Sequence, residues 1–332
     1  MRICVFGAGA VGGHFAAKLA ARGHDVSVVA RGANLEAIRD KGITLLHGAD
    51  TIHGRVRAAE SAAFLGVQDF VFVTLKANSL GAFAQGGAPL LKPDTGVVFA
   101  QNGIPWWYDI GLGGHGEKGR PKPPDLSRLD PGLRKILAPE QIVGGVVYSA
   151  NEVVEPGVVK NNVPGNNMLV VGAADDAPRE QIAVLRSLLD ESDVASPATD
   201  DIRAAVWAKL VQNLSTAALC TLLGVTVAEV RASEYLKSIA ARLAAEARSV
   251  AQAHGIDLAR APARPGGGQS SGAISHKPSL LQDYERGRAM EVEALLVAPL
   301  EFARAAGVAA PTLETIVPLV AYKAAAKGLY EV

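Results

Sequence analysis

Aromatic residues are scarce in this sequence, 5% of 332 positions, which counts against the stacking platforms that hold single-stranded nucleic acid. Cysteine is scarcer still. Cys4 and Cys220 each sit in an apolar run with no CxxC partner, which excludes a disulfide framework and a thiolate metal site. Both read as reduced core thiols of a cytoplasmic protein. An excess of one charge is also missing, because 33 Lys and Arg balance 33 Asp and Glu. A neutral chain has no broad electrostatic footprint for nucleic acid or an anionic membrane. Long hydrophobic runs are absent too. The 19 uncharged residues from Leu210 to Ala228 approach the length of a span, but Gln212, Asn213, Ser215, Thr216 and Thr221 make them too polar for one. The apolar start, Ile3 to Ala17, faintly mimics a signal peptide, yet its glycine spacing reads as a buried strand entering a helix. What is present is core material: 49% hydrophobic and 20% charged residues, over a length that suggests two domains.

The first part alternates short apolar strands with helical patterns, the mark of an α/β domain with a parallel sheet. Residues 3–6, 25–30, 70–74 and 97–100 read as strands covered on both faces, and 11–22 as a helix packed through Phe15, Leu19 and alanines. Five glycines from Gly111 to Gly119, then Pro121, Pro123, Pro124 and Pro131, predict a long surface loop. Strands resume at 142–148, and 158–160 and 168–171 are expected to close the domain as antiparallel strands. From about residue 199 the composition turns helical. Thr199 or Asp200 is a fitting N-cap for a helix to about Leu222, and Ser233 to His254 predicts another, stopped by Gly255. Arg264 to Ser271 reads as a loop. Helix is expected again from about Pro278 to Ala306, and from Thr312 to near the end.

Gly7-Ala8-Gly9-Ala10-Val11-Gly12 follows the first strand and opens the first helix. In that setting the glycines supply a tight turn, room for a pyrophosphate and close helix–strand packing, and the helix N-terminus offers free N–H groups to phosphate. The second strand ends at Arg31, 24 residues after Gly7. An acidic residue here would hold a ribose 2′-hydroxyl, whereas Arg suits a 2′-phosphate. NADP(H) is therefore expected over NAD, with Asn34 and Arg39 as nearby helpers. Lys76 and Asn102 each follow a parallel strand, where open α/β sheets bind ligands. Lys209 and Asn213 share one face of a helix whose surroundings are apolar. That leaves Lys209 either a snorkelling side chain or a proton donor with a lowered pKa.

The GAGAVG loop, Thr-Leu-Lys76-Ala, Gln-Asn102-Gly, Trp-Ala-Lys209-Leu-Val-Gln-Asn213 and Ser279-Leu-Leu-Gln-Asp283, with Glu291 eight residues further on, together resemble the ketopantoate reductase (2-dehydropantoate 2-reductase) family. The resemblance runs through nearly the whole chain, with 105–139 standing out as an insertion. It implies a Rossmann-type parallel-sheet domain at 1–198 and an all-helical substrate and dimerisation domain at 199–332, with a homodimer among the expectations. It also implies NADPH-dependent reduction of a 2-oxo acid, ketopantoate or a relative. Lys209 would be the general acid and Glu291 would bind the substrate's hydroxyl end. Asn102, Asn213 and Ser279 would contact substrate, and residues 7–12, Arg31, Lys76 and Asn102 the cofactor. On one ideal helix Ser279 and Glu291 would lie about 120° apart. Two departures from the family pattern stand out: Ala217 where an Asn is usual, and Leu296-Val297 where Asn-Gly is usual. With Trp106, Trp107 and Tyr108 expected to close over the site, these favour a bulkier or less hydroxylated acid. A β-hydroxyacid or opine-type dehydrogenase and a non-catalytic NADP-binding sensor are the alternatives.

Overall fold

A computed structural model describes residues 1–112, 120–263 and 277–331. The chain opens with β1 (Arg2–Phe6), α1 (Ala10–Ala21), β2 (Asp25–Val29) and α2 (Gly32–Lys41), followed by β3 (Ile43–His47), β4 (Asp50–Gly54) and β5 (Arg57–Ala59). Next come β6 (Phe70–Val73), α3 (Gly81–Gly86) and β7 (Gly96–Phe99), then β8 (Ile142–Tyr148), β9 (Asn151–Glu155), β10 (Val158–Asn161), β11 (Met168–Ala173) and α4 (Glu180–Glu191).

Seven strands form one sheet in the order β11-β8-β7-β6-β1-β2-β5. Every pairing in it is parallel except β11 on β8. β6 and β7 are buried throughout, as continuous apolar runs covered on both faces must be. The expectation that 158–160 and 168–171 both close this domain's sheet as antiparallel strands holds for the second and is corrected for the first. β11 does close the main sheet, but β10 belongs to a second sheet, ordered β4-β3-β10-β9, where it runs parallel to β3.

That second sheet explains α1. The helix contacts β1 and β2 on one side and β3, β4, β9 and β10 on the other. Residues Gly12 to Leu19 are buried without interruption, His14 and Lys18 among them. A helix covered all round needs no apolar stripe, so the expected packing face through Phe15 and Leu19 was only part of its buried surface.

The chain divides into two compact units. The first takes Met1–Gln101 and Asp130–Ile202; the second takes Asn102–Leu129 and Arg203–Ala261 and continues through the C-terminal helices. In the second lie α5 (Ile202–Leu223), α6 (Val227–Ala232), α7 (Glu234–Ala253), α8 (Ser279–Glu285), a π-helical turn Glu293–Val297, α9 (Ala298–Ala305) and α10 (Pro311–Ala325). Ser233, where the sequence pattern begins this helix, caps α7 by accepting from the Leu236 N–H.

Helix over the whole of 278–306 is not what forms. α8 ends at Glu285, and Gly287 takes φ +62°, a turn that removes 286–291 from the helix. The loop read at Arg264 to Ser271 lies outside the described residues, as do 113–119 of the glycine-rich segment. Gly111, where that segment begins, is exposed, but the aromatic run shortly before it is not. Trp106, Trp107 and Tyr108 are each about 1% exposed. Tyr108 packs edge-on to Phe302 at 5.1 Å between ring centroids and accepts from Trp207 Nε1 at 2.7 Å. The buried Arg203 donates to the carbonyls of Tyr108 (2.9 Å) and Ile110 (2.5 Å). These donations satisfy a charge that would otherwise be costly to bury. The three aromatics are core of the helical unit, which corrects the expectation that they close over a substrate.

Candidate functional site

Strand order reverses at β1, with β2 on one side and β6 on the other, and open α/β sheets bind ligands at such a switch point. Gly7 leaves β1 at φ +107°, a conformation that a side chain would strain. Its N–H donates to the Val29 carbonyl (3.0 Å), and its carbonyl accepts from Thr74 Oγ1 at 2.6 Å. A Cβ on Gly12 would stand 2.1 Å from the Gly7 carbonyl and 2.4 Å from Thr74 Oγ1. No such crowding exists at Gly9, which is exposed and has nothing within 4 Å of its would-be Cβ.

Gly9 is also the N-cap of α1 and lends no side chain to it. The first N–H groups of the helix, from Ala10 onward, therefore lack an intrahelical partner. A tight turn, an open approach and an uncapped helix start are what a pyrophosphate requires. The residues fit a dinucleotide.

Arg31 stands just past β2 as the N-cap of α2 and is exposed. Among the described residues its guanidinium makes no hydrogen bond or ion pair. The two suggested helpers are employed elsewhere. Asn34 Nδ2 donates to the Ala8 carbonyl at 2.7 Å and its Oδ1 accepts from the Gly157 N–H at 2.8 Å. Arg39 turns to Glu36 and the Ala58 carbonyl. Of the three, Arg31 is the one whose side chain is not engaged by such contacts. Asn34, with Thr74, instead fixes the shape of the glycine loop.

Half-buried Lys76 follows β6 and opens a short 3-10 turn. Gln101, at the end of β7, ties that region down by donating from Nε2 to the carbonyls of Val73 (2.7 Å) and Leu75 (3.0 Å). Neither Thr74 nor Gln101 carried a signal of its own, because a neutral polar residue at a strand end is commonplace.

In the helical unit, Arg203 and Trp207 turn one side of α5 into the aromatic core. Lys209 lies about 200° round the helix from Trp207, and Asn213 about 240°. Both are half-buried, and the next position on that line, Ala217, is buried. Glu291 is 8% exposed, just ahead of the π-helical turn. Asn102 reaches the same neighbourhood. Ile104 N–H donates to the Ala294 carbonyl at 2.8 Å, and Gly103, at φ +85°, lies against that carbonyl. Ser279 is exposed at the first position of α8. It shares no helix with Glu291, so the 120° relation between them does not apply. Leu296 is buried and Val297 half-buried in the π turn.

In each unit, then, polar groups gather. Residues 7–12, Arg31 and Lys76 stand at the carboxyl ends of β1, β2 and β6, while Lys209 and Asn213 share one face of α5 and Asn102 docks beside the Glu291 segment. Among the described residues no cluster of His, Cys, Asp or Glu could hold a metal ion, and no helix is long and apolar enough to cross a membrane.

Comparison with known proteins agrees with this geometry. The family described as ketopantoate reductase PanE/ApbA matches residues 3–106, and its C-terminal counterpart matches 201–324. A 2-dehydropantoate 2-reductase of Mesorhizobium japonicum is 38% identical over 99% of this chain and 100% of its own. The crystal structure of a candidate ketopantoate reductase from Ralstonia solanacearum superposes with a TM-score of 0.83 at 31% identity, covering 99% of both chains. A D-mandelate dehydrogenase, solved with NADH and anilino(oxo)acetate, shares the fold at TM-score 0.80 and 21% identity, over 99% of this chain and 100% of its own.

Proposed function

The chain belongs to the ketopantoate reductase family of oxidoreductases, and from that premise we propose that it reduces a 2-oxo acid to the 2-hydroxy acid with NADPH in the cytoplasm. The first candidate substrate is 2-dehydropantoate, the acid named for its Mesorhizobium relative. The observation that carries the reading is the coexistence of Lys209, Asn213 and Glu291 with a glycine loop open at Gly9.

In this reading the N–H groups at Ala10, Val11 and Gly12 hold the pyrophosphate beside the backbone of Ala8 and Gly9. Arg31 pairs with the ribose 2′-phosphate, and Lys76 and Asn102 line the junction of cofactor and substrate. A reduced nicotinamide, when bound there, would supply hydride for the keto carbon. Lys209 gives a proton to the carbonyl oxygen, and its positive charge favours the alkoxide as it develops. Asn213, Ser279 and Glu291 orient the substrate through its polar groups. The product is the 2-hydroxy acid, with the oxidised cofactor and neutral Lys209 left to be restored.

Ala217, Leu296 and Val297 bear on selectivity. A site built to hydrogen-bond a hydroxyl rejects analogues lacking it by about 10⁴–10⁵. Apolar groups at these positions weaken that rejection, so less hydroxylated 2-oxo acids are expected to compete with 2-dehydropantoate. The buried Trp106 and Trp107 contribute nothing to this. NADPH consumption over a panel of 2-oxo acids is the test. Absence of turnover with every member would reject the reading, and a preference for 2-dehydropantoate above about 10⁴ would reject the relaxed selectivity alone.

A further inference from the structure

We propose that Arg128, in the segment inserted after Asn102, is a positioning residue for Glu291 and acts by holding the π-helical turn Glu293–Val297. The inference rests on the reading of Glu291 as a substrate-binding residue.

The π turn begins two residues after Glu291, and its geometry fixes how that side chain is rotated relative to α9. π turns are rare and need support. Arg128 supplies it from two ends at once. Its Nε pairs with a carboxylate oxygen of Glu293, the first residue of the turn, and its terminal nitrogen pairs with Glu301 in α9. Eight residues along an ordinary α-helix turn through about 800°, which leaves two side chains roughly 80° apart. A π turn accommodates one extra residue, about 100° of rotation, and so brings Glu293 and Glu301 nearly into line. The guanidinium can engage both carboxylates in the π form and would lose one in the α form.

Other ties converge on the same turn. Tyr330 donates its hydroxyl to the second oxygen of Glu293 at 2.6 Å, and the Met290 N–H donates to the Leu329 carbonyl at 2.8 Å. The carbonyl of Ala294, inside the turn, accepts from Ile104. Partial shielding matters for the ion pairs. Arg128, Glu293 and Glu301 are 39, 23 and 26% exposed at the side chain, so their pairs are screened less than open surface ones.

A double-mutant cycle tests the assignment, reading kcat and KM for the 2-oxo acid, NADPH affinity and thermal unfolding. Arg128→Met keeps the aliphatic stem and removes the charge. It should raise KM for the 2-oxo acid at least tenfold while NADPH affinity stays within twofold. In a Glu291→Gln background the same change should do little, because the residue being positioned is already altered. Glu301→Gln, which leaves Arg128 paired with Glu293, should show the same split at smaller size and covers the case that Arg128→Met folds poorly. Equal losses from Arg128→Met in both backgrounds, or a lowered Tm with unchanged KM, would overturn the proposal and leave the reading of Glu291 intact. A Glu291→Gln enzyme with wild-type constants would overturn both.

Discussion

The backbone N–H of Ile104 donates to the carbonyl of Ala294 at 2.8 Å, so the loop that carries Asn102 rests directly on the turn that follows Glu291. Gly103 makes this approach feasible. A Cβ there would lie 2.4 Å from the Ala294 carbonyl oxygen, on a residue held at φ +85°. Gly103→Ala therefore combines left-handed strain with overpacking against backbone. The expected cost is about 2–4 kcal/mol, read as a lower urea midpoint at unchanged slope. An unaltered midpoint would show that the loop does not need this contact.

The glycine loop gives a paired prediction, since two of its residues differ in what surrounds them. At Gly12 a methyl would strike the Gly7 carbonyl and Thr74, whereas at Gly9 it would enter open space. Gly12→Ala should lower stability and cofactor affinity together. Gly9→Ala should leave the melting temperature alone and weaken NADPH binding at least tenfold, because the methyl takes up room meant for pyrophosphate. Calorimetric titration beside thermal unfolding separates the two. A Gly9→Ala protein that binds NADPH normally would refute the assignment.

The main sheet and the glycine loop were legible in the sequence because local signals defined them: short continuous apolar runs, and three glycines placed between a strand and a helix. The second sheet was not. β3 and β4 lie on one side of a long chain excursion and β9 and β10 on the other, and nothing local announces a parallel pairing between Ile43–His47 and Val158–Asn161. The break after Glu285 went unread because apolar spacing continues past Gly287. Trp106 and Trp107 misled for a similar reason. Read as closing over a substrate, they are buried beside Tyr108, which meets Arg203 and Phe302, roughly 100 and 200 positions away. Lys209 and Asn213 stood out by sharing one helix face, but their roles, and Glu291 itself, came only from the family resemblance. Spacing alone left Lys209 divided between two roles.

Arg31 gives the cofactor prediction. It stands exposed past β2 in the unit that holds the glycine loop, and a charge-assisted pair with a 2′-phosphate contributes about 1.5–3 kcal/mol. Wild-type protein should bind NADPH at least tenfold more tightly than NADH, about 1.4 kcal/mol. Arg31→Ala should abolish that difference mainly by weakening NADPH. Equal affinities in the wild type would remove Arg31 from cofactor choice.

Acid should destabilise the fold through His14. Burial inside α1, with cationic Lys18 and then His47 nearby, holds its pKa down to about 3 from an ordinary 6.5. The unfolded chain thus binds a proton near pH 6.5 that the folded chain refuses until about pH 3. Stability contributed by the neutral imidazole is complete above pH 6.5 and declines as pH falls through that window. Between pH 7 and pH 5 the loss from this one group is on the order of 2 kcal/mol. His14→Leu should show a shallower decline in urea stability across that range, whatever its stability at pH 7. The same slope as wild type would place the acid sensitivity elsewhere.

Lys209 carries the proposed proton transfer, and two substitutions separate the two things it is proposed to do. As a proton donor its removal should lower kcat by about 10²–10⁴, with NADPH affinity unchanged because the group serves the substrate's carbonyl. As a positive charge it also favours the developing alkoxide. Lys209→Ala removes both contributions. Lys209→Arg keeps a charge on a stem of similar reach, but a guanidinium with a pKa above 12 gives up its proton far less readily. If proton donation dominates, the Arg variant should be nearly as slow as the Ala variant and its rate should gain from small amine or imidazole buffers. If charge dominates, Arg should recover most of the activity and respond to no buffer. Single-turnover rates with saturating NADPH are the measurement, since they exclude product release. Should both variants turn over at the wild-type rate, Lys209 is only a snorkelling side chain on α5, and the general acid must be sought among other groups.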